Sequence, residues 1–207
     1  MLNIPQEERI TTVCNEYENF LKNNPPIPTN DIKEMLRLIL KENSFQFNGK
    51  NYLQIHGTAM GNKMTVAFAN IFMVDTETEI LSKSVIKALI WKRYIDDIFS
   101  LWDVSKQDID KFITQANSHH PTIKFRAEIS NTEATFLDTV VYKDKRFQNQ
   151  FTLDVKTHFK PTETFQYTQF SSCHPPGVKK GFVKGEALRL LRTNSSKTTF
   201  EESIKKI

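Results

Sequence analysis

KRYIDDIFSLW, residues 92–102, is an apolar run that is interrupted by two adjacent carboxylates, Asp96 and Asp97. Moving an ionised carboxylate out of water costs free energy unless a cation or hydrogen bonds compensate it. Apolar residues on both sides of the pair favour two short strands. The stretch therefore predicts a β-hairpin whose turn carries both carboxylates.

The Asp pair allows two interpretations. Aspartate is a common turn former, so the pair is compatible with a solvated two-residue turn. Tight hairpins prefer Gly or Asn, however, and this turn has neither. Two like charges held side by side also repel unless a cation lies nearby, and oxygen ligands without His or Cys point to Mg²⁺ rather than zinc. The residues alone leave the metal site and the solvated turn equally open.

The composition of the 207-residue chain is that of a globular protein, with one sizeable core plus an appendage or two small domains. The longest apolar run, residues 64–74, is too short to cross a bilayer, and no signal peptide or membrane association is expected. Cys14 and Cys173 lie far apart in the sequence. This usage predicts an intracellular protein, nuclear or cytoplasmic and not secreted, without a disulfide partner or a zinc site.

Basic residues are concentrated towards the C-terminus. Residues 150–207 hold ten Lys and Arg against five Asp and Glu, whereas residues 1–149 hold 18 against 19. A basic segment of this kind indicates either contact with a polyanion or a solvated surface.

The hydrophobic patterns predict an α+β fold with an antiparallel sheet. Helices are expected at about 5–21, 29–40, 63–81 and 186–192, after the capping box Ser105-x-x-Asp108, and after a second box at Thr199-x-x-Glu202. Strands are expected on both sides of Asn48-Gly49, in the 92–102 hairpin, and at 123–129, 135–142 and 147–155.

Glycines mark two further stretches. Gly57 and Gly61 bracket a loop before a predicted helix, where glycine allows close backbone approach and the helix N-terminus favours phosphate. An ordinary turn explains the same pattern. Gly177, Gly181 and Gly185 recur every four residues among lysines, which is compatible with a helix but favours a flexible loop, since glycine weakens helices.

Taken together, the glycine loop and the Tyr-x-Asp-Asp hairpin about thirty residues later resemble motifs B and C of reverse transcriptases. The chain is most similar to the reverse transcriptases of Penelope-like retroelements. The similarity covers essentially the whole chain, and the motifs that carry it are residues 53–61, 93–99, 120–125, 136–139 and 170–175.

The resemblance implies a polymerase palm in residues 1–147, with a palm-type antiparallel sheet and packed helices, and a partial, basic thumb in residues 148–207. Asp96 and Asp97 would be the catalytic and metal-binding residues, with Mg²⁺ or Mn²⁺ as cofactor and two ions expected only in the complete enzyme. The implied reaction is RNA-directed DNA synthesis. Its implied partners are an RNA template, a DNA primer and deoxynucleoside triphosphates.

The resemblance also implies binding roles. The nucleotide and its template base would contact Gln54, Gly57, Met60, Gly61 and Tyr94. The primer grip would contain Phe136, Leu137 and Asp138, and the nucleic-acid backbone would contact Lys179, Lys180 and Lys184. A core position explains Tyr94 equally well. The polar face of a strand explains Lys124 better than contact with the leaving pyrophosphate does.

The chain departs from the family pattern at motif A. In the family, a third catalytic Asp lies shortly before an Asn-Ile-Pro segment, whereas here Asn3-Ile4-Pro5 follows Met1-Leu2 directly. Glu7 and Glu8 are expected to be ordinary acids of a first helical turn. With no endonuclease module after Ile207, the chain is expected to be a fragment that is inactive alone. The alternative to a palm of an active enzyme is a truncated retroelement remnant that at most binds primer–template nucleic acid.

Overall fold

The computed structural model describes residues 5–21, 25–55, 57 and 63–207 of the chain. These residues form two compact units, which divide after Ala127. The expected palm–thumb boundary after Phe147 therefore lies inside the second unit.

Each unit combines helices with antiparallel strands, which confirms the α+β class. Unit 1 contains α1 (Gln6–Leu21), α2 (Thr29–Lys41), β1 (Ser44–Phe47), β2 (Lys50–Leu53), α3 (Lys63–Lys83), β3 (Ile90–Tyr94), β4 (Asp97–Leu101) and α4 (Lys106–His119). Unit 2 contains β5 (Glu133–Phe136), β6 (Thr139–Tyr142), α5 (Lys145–Gln150), β7 (Asp154–Thr157), α6 (Pro176–Arg192) and α7 (Lys197–Ile204). Within the described ranges the sheets are β1–β2, β3–β4 and β5–β6–β7.

Helix α3 is the central element of unit 1, because its side chains enter three separate groups of buried residues. Phe68 packs with α1 and α2, Phe72 packs beside the extended segment at Ile123, and Ile80 packs beside Phe112 of α4. Trp91 of β3 lies against this last group, with its ring 5.9 Å from that of Phe112. The β3–β4 hairpin is therefore fixed on α3 and α4.

A polar network holds unit 2 together between β7 and the α6–α7 connection. Ser195 donates a hydrogen bond from its hydroxyl to Asp154 Oδ1 at 2.7 Å, and Arg146 forms an ion pair with the same carboxylate. Asn194 donates to Thr157 Oγ1 at 2.7 Å. Because Asp154 and Thr157 are buried, these contacts replace the water that both side chains lose.

Residues 123–129 do not form the predicted strand, although half-buried and exposed side chains alternate at its start as predicted. Ile123 and Phe125 are half-buried while Lys124 and Arg126 are exposed, yet the segment pairs with no described strand. The side chain of Asn117 takes the place of a strand partner. It accepts a hydrogen bond from the Phe125 amide at 2.6 Å and donates to the Phe125 carbonyl at 3.0 Å.

Two other predicted strands also differ. Residues 135–142 form most of the β5–β6 hairpin, which turns at Leu137-Asp138, rather than one strand. Of the strand predicted at 147–155, residues 147–150 are helical and belong to α5, which is capped by Phe151 with a left-handed φ of 52°, and only residues 154–155 lie in β7. The rings of Phe147 and Phe151 lie 5.9 Å apart, as the spacing of one helical turn allows.

Near the C-terminus, helix α6 begins ten residues earlier than predicted. Gly177, Gly181 and Gly185 are therefore helical, and the loop prediction for them is wrong. Pro176 at the first helical position has the φ that a helix start requires, which offsets part of the cost of the glycines. Helix α7 is capped by Ser196, whose hydroxyl accepts a hydrogen bond from the Thr199 amide at 3.2 Å, so the predicted Thr199 cap is three residues late.

None of the helices in the described part of the chain has both the length and the apolar character that crossing a membrane requires.

Candidate functional site

The stretch 92–102 forms the predicted hairpin. Tyr94 pairs with Asp97 across β3 and β4, so Ile95 and Asp96 are the two residues of the turn. Ile95 has a φ of 58°, a left-handed conformation that is costly for a β-branched side chain. The turn is therefore one residue earlier than predicted: Asp96 lies in a tight and strained turn, whereas Asp97 is the first residue of β4.

Asp96 and Asp97 are exposed, and no described residue donates a hydrogen bond or an ion pair to either side chain. Lys92 belongs to the same hairpin but also makes no such contact with them. No described protein group therefore compensates their negative charges. Across the described ranges, no third Asp, Glu, His or Cys joins them to form a group that could hold a metal ion.

Arg93, three residues before Asp96, has a different environment. Its Nε lies 2.9 Å from Glu77 Oε2 on α3, and these two side chains are only 10% and 11% exposed. Its Nη1 donates to Asn70 Oδ1 at 2.7 Å and to the carbonyl of Ile95 at 3.1 Å. Trp91 adds a hydrogen bond from its ring nitrogen to Glu77 Oε1 at 3.3 Å. The base of the hairpin and its turn are therefore both tied to α3.

Sequence reasoning missed this network, although two signals for it were present. Trp91 and Arg93 are half-buried, alternate with exposed residues along β3 and share one side of the hairpin. Asn70 and Glu77 are polar residues seven positions apart on an apolar helix, and so lie on the same helical face. A buried Arg on a strand requires acceptors of this kind.

The environments of Tyr94 and Lys124 distinguish between the alternative interpretations of each residue. Tyr94 is 56% exposed, which contradicts the alternative that it is a core residue. The Lys124 amine donates to the carbonyls of Asn117 and His120 at 2.6 and 3.1 Å, so it closes the C-terminal end of α4. These contacts favour a structural role for Lys124.

The predicted nucleotide loop is described only in part. Gln54 accepts a hydrogen bond on its side-chain oxygen from Asn43 at 3.2 Å. Gly57 is buried, has a φ of 68° and accepts a hydrogen bond from Gln6 of α1 at 2.9 Å. That positive φ is a backbone reason for glycine at this position. Met60 and Gly61 lie outside the described residues.

The first-turn acids of α1 are engaged in unit 1, as predicted for ordinary helix residues. Hydrogen bonds from Lys41 and then Arg37 hold the pKa of Glu7 below its usual value. The Glu8 carboxylate lies 2.7 Å from Nε2 of His120.

The predicted primer-grip residues lie in unit 2, at the turn of the β5–β6 hairpin. Phe136 ends β5, and Leu137 and Asp138 form the two-residue turn. Leu137 has a φ of 55°, close to that of Ile95, so both hairpins turn through an apolar left-handed residue followed by Asp. The hairpin itself is present, while its role towards a primer stays a prediction.

The three lysines predicted to contact a nucleic-acid backbone have different environments on α6. Lys179 donates hydrogen bonds to the carbonyls of Phe170 and Ser172 and is therefore occupied in holding the preceding turn. Lys180 and Lys184 are exposed, and within the described residues neither makes a hydrogen bond or an ion pair. These two lysines remain accessible to a ligand.

Neither a protein-family model, nor a curated protein, nor a solved structure matches this chain.

Proposed function

We propose that this chain is the palm and part of the thumb of a reverse transcriptase similar to those of Penelope-like retroelements. Asp96 and Asp97 bind Mg²⁺ or Mn²⁺ in this proposal, and the complete enzyme extends a DNA primer on an RNA template with deoxynucleoside triphosphates. The observation that carries the proposal is a pair of exposed carboxylates without a described protein partner, at the end of a hairpin whose own arginine, Arg93, contacts helix α3 instead.

The donor set of the turn fits such a cation. Carboxylate oxygens are the ligands that Mg²⁺ and Mn²⁺ prefer, and adjacent carboxylates without a protein cation attract a solvent cation most strongly. Asp96 and Asp97 would hold such a cation, which when bound would supply activation of the primer hydroxyl and charge stabilisation for the departing pyrophosphate. What the hairpin itself supplies is two acidic side chains displayed to solvent from a turn that is anchored to α3.

The charge distribution supports a polyanionic partner. Unit 2 carries thirteen Lys and Arg against nine Asp and Glu, while unit 1 carries fifteen of each. The net positive charge of the chain therefore resides in unit 2, where Lys180 and Lys184 are free of protein partners among the described residues. A nuclear or cytoplasmic location follows from this proposal rather than from the fold.

A second candidate function is that of a palm that binds primer–template without extending it, as in a truncated retroelement remnant. It is favoured by one observation: in the described ranges the Asp pair is not joined by a third ligand. The two candidates share the hairpin and differ in catalysis.

The metal proposal is tested by titrating Mn²⁺ into the full chain and measuring free Mn²⁺ by electron paramagnetic resonance. Weak binding is expected, and both Asp96→Asn and Asp97→Asn should reduce it. Asp110→Asn, which removes an exposed acid from α4, is the matched control and should bind Mn²⁺ like the native chain. Equal affinity in all four proteins would show that the pair is not the metal site.

A further inference from the structure

We infer that Arg93 is a positioning residue for the Asp96–Asp97 pair: its guanidinium fixes the turn on helix α3, and Glu77 keeps its charge away from the two carboxylates. This inference rests on the proposed function, because it concerns how the same turn meets a metal ion.

The contacts of the Arg93 guanidinium connect the turn to helix α3. The Arg93 guanidinium reaches acceptors on two elements, since it contacts Glu77 and Asn70 on α3 and the carbonyl of Ile95 in the turn. A planar group with several donors can satisfy these acceptors together, whereas the single ammonium of lysine cannot span them in the same way. The bond to Ile95 is made to the residue whose φ is 58°, so the arginine holds the strained position that directly precedes Asp96.

The positive charge of Arg93 is paired with Glu77 and not with the two carboxylates of the turn region. An arginine so close in sequence to two carboxylates is their most obvious counterion, and pairing with it would weaken their attraction for a metal ion. The hairpin register puts Arg93 and Asp97 on opposite sides, because Arg93 pairs with Ile98 while Asp97 pairs with Tyr94, and neighbouring positions on a strand face opposite sides. Asp96, in the turn, makes no ion pair with Arg93. Glu77 then neutralises the guanidinium on the helix side.

Stability alone gives a weak reason for this ion pair. Burying two charges costs desolvation, and apolar residues of similar size often serve a core equally well. A role in fixing a functional turn accounts for the burial of both side chains and for the extra bond to the Ile95 carbonyl.

The experiment compares Arg93→Lys and Glu77→Gln with the native full chain, and uses Arg126→Lys as a matched control because Arg126 is exposed and lies outside the network. Three quantities are measured: Mn²⁺ affinity, amide hydrogen exchange of residues 95–98, and the melting temperature. Loss of partners that orient metal ligands commonly weakens metal binding by about tenfold or more. Both network variants should show a loss of that order and faster exchange at the turn, while Arg126→Lys should match the native chain in all three quantities.

The outcomes separate this inference from the proposed function. If Asp96→Asn abolishes Mn²⁺ binding but both network variants bind like the native chain, the positioning role is overturned and the metal site stands. If the native chain shows no Mn²⁺ binding that depends on Asp96, the proposed function fails. In that case the role of Arg93 in the turn is decided by amide hydrogen exchange alone. Faster exchange of residues 95–98 in the two network variants than in the native chain supports this role, and unchanged exchange overturns it. Should Arg93→Lys fail to fold, Glu77→Gln, which keeps the size of the side chain and one acceptor oxygen, decides by the same criteria.

Discussion

Tyr94 lies directly opposite Asp97 across the β3–β4 ladder, and more than half of Tyr94 is exposed. Opposite residues on an antiparallel ladder place their side chains on the same face with their Cβ atoms about 5 Å apart. A ligand held by the Asp97 carboxylate would therefore meet the Tyr94 ring as well.

Replacing Tyr94 by alanine should weaken binding of a primer–template duplex by about 1–3 kcal/mol, the usual contribution of one stacked aromatic side chain. Tyr94→Phe retains the ring and should bind like the native chain. Fluorescence anisotropy with a labelled RNA–DNA hybrid measures both variants. Equal affinity of Tyr94→Ala and the native chain would remove Tyr94 from the proposed site.

Nucleic-acid affinity should depend strongly on salt, since each neutralised phosphate releases counterions. Replacing Lys180 and Lys184 together by alanine should reduce the slope of log affinity against log salt concentration by about two. The control is Lys145→Ala with Lys160→Ala, which removes the same charge from exposed positions elsewhere in unit 2. If both double variants change the slope equally, the effect belongs to net charge and not to α6.

The 207-residue chain should show no primer extension above background on an RNA template with Mg²⁺. Within the described ranges, no third Asp, Glu, His or Cys groups with Asp96 and Asp97 to hold a metal ion. A missing ligand removes several kcal/mol of transition-state stabilisation, which corresponds to several powers of ten in rate.

A gel assay with a known reverse transcriptase as positive control measures this activity. Extension that is lost in Asp96→Asn would mean that another acid completes the site and would exclude the inactive remnant.

Unit 2 should lose stability in acid through Asp154. The Arg146 guanidinium, followed by the Ser195 hydroxyl, lowers the pKa of this buried carboxyl, although burial itself acts in the opposite direction. A lowered folded-state pKa means that the stabilisation is fully present above the unfolded pKa of about 4 and is lost as the pH falls through the folded value.

At pH 7, Asp154→Asn should therefore reduce the free energy of unfolding by about 1–3 kcal/mol, with a smaller difference from the native chain in acid. Urea denaturation at several pH values measures this. Glu133→Gln is the control, because its ion pair with Lys156 is exposed and should contribute little. If Asp154→Asn lowers the free energy of unfolding by the same amount at every pH, the stabilisation does not depend on the ionisation of Asp154.

The strain at Ile95 predicts an unusual response to a polar substitution. Asparagine tolerates a positive φ far better than a β-branched residue, so Ile95→Asn should lose little stability or gain up to about 1 kcal/mol. Ile98→Asn changes a half-buried isoleucine of the same hairpin without left-handed backbone and should destabilise. Thermal denaturation compares the two, and equal losses would show that the turn stores no strain.

Patterns that depend on local chemistry were predicted correctly from the sequence. Asn48-Gly49 forms a hairpin turn, the second hairpin turns within one residue of the predicted position, at Ile95-Asp96, and Ser105 caps α4 by accepting a hydrogen bond from the Asp108 amide. Each of these signals acts over a few residues, where turn and cap preferences decide the outcome.

Features that depend on tertiary contacts could not be predicted in the same way. The alternation at 123–129 does not reveal that the Asn117 amide replaces a strand partner. At the site, the exposed carboxylates could be identified from the stretch itself. The partners of Arg93 lie 16 and 23 residues earlier in the chain, and only the folded hairpin brings them together.

The glycines of α6 have a consequence for local unfolding. Each glycine in a helix interior costs about 1 kcal/mol relative to alanine, and Gly177, Gly181 and Gly185 all fall in the first ten residues of α6. The buried residue of this helix, Leu190, lies near the other end. Local unfolding of α6 should therefore need much less free energy in the first turns than in the last. The last turn is held by the connection that follows it, where Asn194 donates a hydrogen bond to Thr157 of β7. A polyanion bound to the helical form at Lys180 and Lys184 would oppose this local unfolding, so binding should slow amide exchange more in the first turns of α6 than in the last.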